Sequence, residues 1–286
     1  MIQDIAPRKL YNEFVPGMRA LPDDTVIHFR GKEMLVGAGT ELICLPAVKD
    51  LVLTDEERAD LRYLFRIDDE NFFALTDAEA KLKEPERFEY LPLARIREEK
   101  TGPDYLMLAA YTGCHLCGWY RDNRFCGSCG SPTHTAPDER ALDCPKCRRR
   151  IYPRIVPAVI VGVTSGDRLL VTRYANRPFT QNALVAGFTE IGETLEETVA
   201  REVMEEVGLK VKNIRYYKSQ PWGVVDDILM GFYCDVDGPD EIVLDKNELK
   251  QAVWTERADI IGQSTQLSLT NEMMLMFRDG KEPKWH

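Results

Sequence analysis

Between Gly187 and Leu209 the chain reads GFTEIGETLEETVAREVMEEVGL, and this stretch restricts the fold more than any other. Thr194 followed three residues later by Glu197 forms a capping box that starts a helix. Gly208 is placed to end that helix in a left-handed cap. At about 100° per residue from Leu195, Glu205, Glu202 and Glu206 fall near −80°, −20° and 20°. Val199, Val203, Val207, Ala200 and Met204 fill an adjoining arc from about 40° to 180°. The pattern predicts a helix over Thr194–Val207 that buries one flank and presents three carboxylates on the next. Three such carboxylates repel one another unless a cation joins them, and hard oxygen ligands select Mg²⁺ or Mn²⁺. An ion held there bridges to phosphates and lowers the pKa of a bound water. Taken alone, the triplet also fits a merely solvated acidic face.

Six of the eight cysteines fall as C-x-x-C pairs: Cys114/Cys117, Cys126/Cys129 and Cys144/Cys147. The second and third pairs are 14 residues apart, close to the spacing of four-cysteine zinc sites. Two tight turns each aim two sulfurs at one ion, giving a closed tetrahedral shell and a structural Zn²⁺ held by Cys126, Cys129, Cys144 and Cys147. Gly127, Gly130 and Pro145 suit such turns. Cys114 and Cys117 share one face of an expected helix, as buried thiols or as a rival ligand pair. Cys44 and Cys234, each in an apolar stretch, are expected to be small core residues.

Composition bounds the rest. The chain has 286 residues, 44% of them hydrophobic, enough to bury a core and too many for general disorder. Its 37 basic and 47 acidic side chains leave a net charge of −10, which excludes a dominantly basic nucleic-acid binder. Bases outnumber acids only around 126–155, where Lys146, Arg148, Arg149, Arg150 and Arg154 either offset a zinc–thiolate charge or hold phosphates. The start, MIQDIAPRKLYNEF, lacks an apolar targeting segment, and no apolar run approaches the ~20 residues of a membrane helix. A soluble cytoplasmic protein without membrane partners is expected.

Short strands are expected at Thr25–Arg30, Glu33–Val36, Glu41–Leu45, Leu61–Arg66 and Asn71–Thr76, with a charged helix or linker over Ala78–Arg87 and a helix over Tyr105–Asn123. Further strands are expected at Val156–Val163, Arg168–Tyr174, Val211–Lys218 and Ile228–Val236, with a loop after Tyr174, then Ala183–Ala186 before the Thr194–Val207 helix, and Asn247–Trp254 leading to a last helix around Ser268–Arg278. This mixture suggests an α/β domain at the C-terminal end.

The fixed positions from Gly187 to Leu209 follow G-x5-E-x7-R-E-U-x-E-E-x-G-U, with U apolar, and resemble the signature of the Nudix hydrolase superfamily. The resemblance implies an α/β/α sandwich that hydrolyses a diphosphate attached to a nucleoside or similar group. It carries the catalytic role to Glu202, Glu205, Glu206 and Arg201. The three glutamates would be metal ligands, one of them also a general base, and Arg201 would orient them while Gly187 shapes the preceding loop. A four-cysteine ribbon before such a domain resembles the NADH pyrophosphatases, as do Tyr63–Phe65 with Phe72–Leu75 and the element Ser219-Gln220-Pro221-Trp222. Three regions are implied: an N-terminal NADH-pyrophosphatase-like α+β domain over 1–125, a zinc ribbon over 126–155 and a Nudix domain over 156–286.

The resemblance further implies substrate contacts at Glu139, Tyr152, Phe188, Gln220, Pro221 and Trp222, and Mg²⁺ or Mn²⁺ contacts at Ala186 (through its carbonyl) and Glu248. Where the family continues P-F-P-x-S, this chain has Gly223-Val224-Val225-Asp226-Asp227. The implied activity is metal-dependent hydrolysis of NADH or NAD to nicotinamide mononucleotide and AMP by a homodimer. The altered stretch keeps open a sibling activity on ADP-ribose, diadenosine polyphosphates or NAD-capped RNA. A non-enzymatic nucleotide or RNA sensor is the reading from another class.

Overall fold

The computed structural model describes residues 1–76, 78–175 and 181–285. They form two units: Gln3–Arg154 with Gly223–Asp226, and Met1–Ile2 with Ile155–Trp222 and Asp227–His286.

In the first unit, strands β1 (Leu10–Tyr11), β2 (Thr25–Ile27), β5 (Arg62–Ile67) and β6 (Glu70–Ala74) form a sheet in the order β1-β5-β6-β2. The β5–β6 hairpin turns at Asp68, whose φ is +50°. A second sheet, β3-β4-β7, joins Phe29–Arg30, Glu33–Gly37 and Phe88–Pro92. Helices α1 (Asp55–Ala59), α2 (Leu93–Glu99) and α3 (Asp104–Asp122) complete this part.

The expected strand over Thr25–Arg30 is two strands in different sheets. The break is His28, a buried side chain whose Nδ1 donates to the Leu75 carbonyl at 2.8 Å and whose ring meets Tyr90 edge-on. Glu41–Leu45 is not a strand either: Glu41 and Ile43 bond across to Thr101, and Leu42 makes an isolated bridge. Cys44 therefore stands exposed, not in the core as expected. Ala78–Arg87 is a linker with a short 3-10 turn at Pro85–Arg87. Phe88–Pro92 and Leu93–Glu99 had no sequence assignment.

Strands β8 (His134–Thr135), β9 (Leu142–Asp143) and β10 (Arg150–Ile151) form a small meander carrying the cysteine turns.

The second unit is built on β11 (Val156–Ser165). The sheet also holds β12 (Arg168–Tyr174), β13 (Val185–Phe188), β14 (Val211–Trp222), β15 (Asp227–Val236) and β16 (Leu249–Glu256), in the order β14-β15-β11-β12-β16 with β13 also on β11. Only the β11–β15 pair is parallel. Because strand side chains alternate, Val159, Val161 and Val163 face one side and pack with Val199, Val203 and Val207 of α4 (Leu195–Val207). Ile160 faces the other side, with Leu269, Met273 and Phe277 of α5 (Leu269–Arg278). A helix thus covers each face of the sheet, an α/β/α sandwich. Burying each α4 valine contributes roughly 1.5–3 kcal/mol. Residues 176–180 of the loop expected after Tyr174 lie outside the described residues.

Candidate metal centre and active site

Helix α4 begins as its sequence requires. Thr194 Oγ1 accepts from the Glu197 amide at 3.2 Å, and Glu197 Oε2 accepts from the Thr194 amide at 2.8 Å. Gly208 ends the helix at φ +70°. The buried sector, however, is turned toward the acids. Thr198, Val199, Glu202, Val203, Glu206 and Val207 are buried, while Ala200 and Met204, placed on the apolar flank by the projection, are exposed. The sheet accepts the glutamate side of the helix because the strand opposite it is stripped of bulk. A Cβ on Gly187 of β13 would lie 2.0–2.3 Å from the Glu202 carboxylate atoms.

Arg201 organises the cluster. Its Nη1 donates to Glu202 Oε1 at 2.7 Å and to Glu205 Oε2 at 3.0 Å. Its Nε and Nη2 grip the two oxygens of Glu193 at 2.6 and 2.9 Å, and Nη2 also reaches the Phe188 carbonyl at 2.9 Å. Glu193 receives two more bonds, from the Glu190 amide and the Thr198 hydroxyl. Arg201 and these donors hold the Glu193 carboxyl down to about 2. Glu193 thus anchors the guanidinium. Sequence reasoning gave it no role, although it occupies a fixed position of the Gly187–Leu209 pattern.

Burial pushes the Glu202 carboxyl up against the pull of Arg201, and Glu205 and Glu248 add to the rise. Glu206 is 2% exposed and Glu205 is exposed. Exposed Glu248 contributes to the same electrostatic field. Ala186 and Phe188 flank Gly187 on β13, opposite Ile160 and Ala158, with Phe188 half exposed. Carboxylate oxygens, a cradle cleared by Gly187 and a burial cost that a cation offsets suit Glu202 and its neighbours to a hard divalent cation.

Of the Ser219–Trp222 element, Gln220 is fully buried. Its Nε2 donates to the Leu267 carbonyl at 2.7 Å and its Oε1 accepts from the Leu269 amide at 2.7 Å. The side chain expected to touch substrate is thus committed to the start of α5. Pro221 is exposed and Trp222 half-buried at the end of β14.

The other expected contacts belong to the first unit. Tyr152, 55% exposed, donates its hydroxyl to Glu139 Oε1 at 2.9 Å. The same oxygen accepts from Arg150 at 2.5 Å, and Arg150 also binds Asp138 and Asp143. Arg154 pairs with Asp226 at 3.3 Å. Part of the basic run is thus matched by local acids, while Lys146 and Arg148 stand exposed.

The Sγ atoms of Cys126, Cys129, Cys144 and Cys147 lie within 4.8 Å of one another, and among the described residues they form the one such group of potential ligands. The Cys126–Cys147 and Cys129–Cys144 sulfur separations are 3.5 Å, near the ~3.8 Å edge of a tetrahedron with 2.3 Å Zn–S bonds. Hydrogen bonds from Ser131 hold Cys129 down to about 6, toward the thiolate that zinc takes. Both turns close alike, with the amides of Gly130 and Arg148 bonded to the carbonyls of Cys126 and Cys144. Cys114 is half-buried and Cys117 buried, and burial pushes both thiols up, Cys114 to about 11. They behave as packed thiols and not as ligands.

An α/β/α sandwich with a buried glutamate helix, joined to a four-thiolate ribbon, defines a class of metal-using hydrolase. A NUDIX domain model matches residues 153–275, and a NADH pyrophosphatase zinc ribbon domain model matches residues 121–152. The chain is 39% identical over 180 residues to the NAD-capped RNA hydrolase NudC of Klebsiella pneumoniae subsp. pneumoniae, covering 63% of this chain and 68% of that one. It is 43% identical over 155 residues to the protein of the same name from Salmonella heidelberg, covering 54% of this chain. That stretch spans 60% of the Salmonella protein's length. A crystal structure of a NUDIX hydrolase from Nitrosomonas europaea aligns with a TM-score of 0.49 at 22% identity, over 57% of this chain and 96% of that one. The chain belongs to the Nudix hydrolase family, in its zinc-ribbon NADH pyrophosphatase branch. Among the described residues no helix is long and apolar enough to cross a membrane.

Proposed function

We propose that this chain hydrolyses the pyrophosphate bond of NADH or NAD, yielding nicotinamide mononucleotide and AMP. The observation that carries the reading is the burial of Glu202 against the Gly187 cradle and of Glu206 one turn along the same helix, with Arg201 fixed by Glu193. Glu202, Glu205, Glu206, Glu248 and the Ala186 carbonyl would hold Mg²⁺ or Mn²⁺. The bound ion supplies charge neutralisation at the diphosphate and a water of lowered pKa. Arg201 keeps Glu202 and Glu205 oriented, and Phe188 offers an aromatic face for a base or nicotinamide ring. Pro221 and Trp222 would contact the same substrate. The four ribbon cysteines would hold a structural Zn²⁺, with 1–125, 126–155 and 156–286 as the three functional regions of a homodimer.

The names of the relatives favour a second substrate for the same site, the NAD cap of an RNA. One panel separates these readings. NADH, NAD, ADP-ribose and an NAD-capped oligoribonucleotide are incubated with Mg²⁺ or Mn²⁺, and the products are resolved by chromatography. Turnover of NADH and NAD is expected, and Glu206→Gln is expected to abolish it with zinc content unchanged. Full activity in that variant overturns the assignment of the site. Clear preference for ADP-ribose overturns the substrate while leaving the hydrolase in place.

A further inference from the structure

The unit that contains the ribbon also holds a cavity of about 360 Å³ that the proposed hydrolysis does not use. Arg62 and Tyr63 line it from the start of β5, Tyr120 from α3, His134 from β8, and Phe14 and Met18 from the segment before β2. Its size lies within the usual range for small-molecule sites.

Two features set it apart from a surface cleft. The rings of Tyr63 and Tyr120 are packed, the residues being only 6% and 3% exposed, but among the described residues neither hydroxyl has a hydrogen-bond partner or is sealed from solvent. A phenol hydroxyl that reaches solvent and has no protein partner is free to donate to a ligand. Two such hydroxyls on residues lining one cavity point to a ligand that accepts from both. The second feature is charge. Arg62 lies over the Tyr120 ring at 4.7 Å and is held by the Thr76 and Thr135 hydroxyls at 3.0 and 2.6 Å. Arg140 interacts electrostatically with both phenols; its Nη2 bonds the carbonyls of Asn12 and Leu64, while its buried Nη1 has no partner. No carboxylate pairs with Arg140 among the described residues, so its charge is left to favour an anion nearby.

We propose that this cavity binds a nucleoside monophosphate. Tyr63, Tyr120 and Arg62 take the phosphate, Phe14 and Met18 form an apolar wall for the base, and exposed Asp60 at the rim accepts from ribose hydroxyls. Such a group reaches the protein either as a free nucleotide or as one unit of an RNA strand.

The test is calorimetric titration of the zinc-loaded protein of residues 1–286 without added divalent metal, in a Glu206→Gln background. The ligands are AMP and an uncapped pentaribonucleotide. Tyr63→Phe with Tyr120→Phe is expected to weaken AMP at one site by at least about tenfold, the scale of one or two hydrogen bonds to a charged group. Zinc content and, with Glu206 restored, NADH turnover should stay unchanged. A loss confined to AMP identifies a free nucleotide; an equal loss for the oligonucleotide identifies a strand. Asp60→Asn, on the exposed rim, is an independent variant expected to weaken AMP several-fold. Isotherms unmoved by all three substitutions overturn the proposal, as does competition by inorganic phosphate equal to that by AMP. Neither tyrosine belongs to the glutamate helix, so that failure leaves the proposed hydrolysis standing.

Discussion

Gly187 sets the tolerance of the glutamate cradle, because any β-carbon there would sit 2.0–2.3 Å from the Glu202 carboxylate. Gly187→Ala must push Glu202 out of its pocket or bend β13. Hydrolysis is therefore expected to fall by at least about a hundredfold, the scale of an angstrom-size misplacement. Zinc content, read by metal analysis, should not change. Glu193 makes a different prediction. Its folded carboxyl titrates near 2, below the usual 4.5, so the folded state binds fewer protons than the unfolded chain. Its contribution to stability is complete above about pH 4.5 and disappears as the pH falls through about 2. Urea midpoints measured from pH 5 to pH 2.5 should fall less steeply in Glu193→Gln than in the parent; parallel curves would show that Arg201 does not depend on it. Both residues occupy fixed positions of the Gly187–Leu209 pattern, yet only the structure separates the cradle from the anchor. Spacing records that a residue type is needed without recording what it touches.

Local signals explain which elements could be read in advance. Helix α4 carries its own start and stop in Thr194, Glu197 and Gly208, and β11 is a long apolar run that the turn at Gly166 joins to the short one in β12, so each is foreseeable without knowledge of its neighbours. Thr25–Arg30 fails for the opposite reason: its apolar pattern is continuous, and only the partners of His28 on two other elements split it. The helical projection likewise fixes angles but not what faces them. Ala200 and Met204 lie outside the core because the helix turns its Glu202 and Glu206 side inward, with Glu202 seated in the cradle at Gly187. The cysteine turns show an asymmetry that spacing hid. Each closes on a left-handed residue four positions after its first cysteine, Gly130 at φ +71° in one and Arg148 at φ +61° in the other. A side chain is strained in that region, whereas glycine is not. Arg148→Gly should therefore stabilise the ribbon by up to about 1 kcal/mol. A later midpoint for zinc release to a chelator would register it, and an earlier one would show that the Arg148 side chain contributes more than its backbone costs.

At the scale of the whole molecule, the division into units does not follow chain order, because Gly223–Asp226 groups with Gln3–Arg154 although it interrupts the Nudix sheet between β14 and β15. The same residues are those that depart from the family's P-F-P-x-S. A Cβ on Gly223 would lie 2.1 Å from the Tyr111 carbonyl oxygen and 3.0 Å from the His115 Cβ. Asp226, at φ +61°, lies 3.6 Å from His115 Nε2 and 3.3 Å from Arg154 Nη2. The resemblance ties this stretch to the choice of substrate, since no local signal links residue 223 to a helix more than a hundred positions earlier. The geometry instead accounts for the departure as packing against α3. Restoring the family's proline at this one position should then be harmful. Gly223→Pro is expected to destabilise the protein by about 1–3 kcal/mol through overpacking on the Tyr111 backbone. Gly223→Ala should act in the same direction, because its β-carbon meets the same oxygen. Thermal unfolding of both variants checks this, and midpoints equal to the parent's would mean that the Gly223–Tyr111 approach is not held in solution.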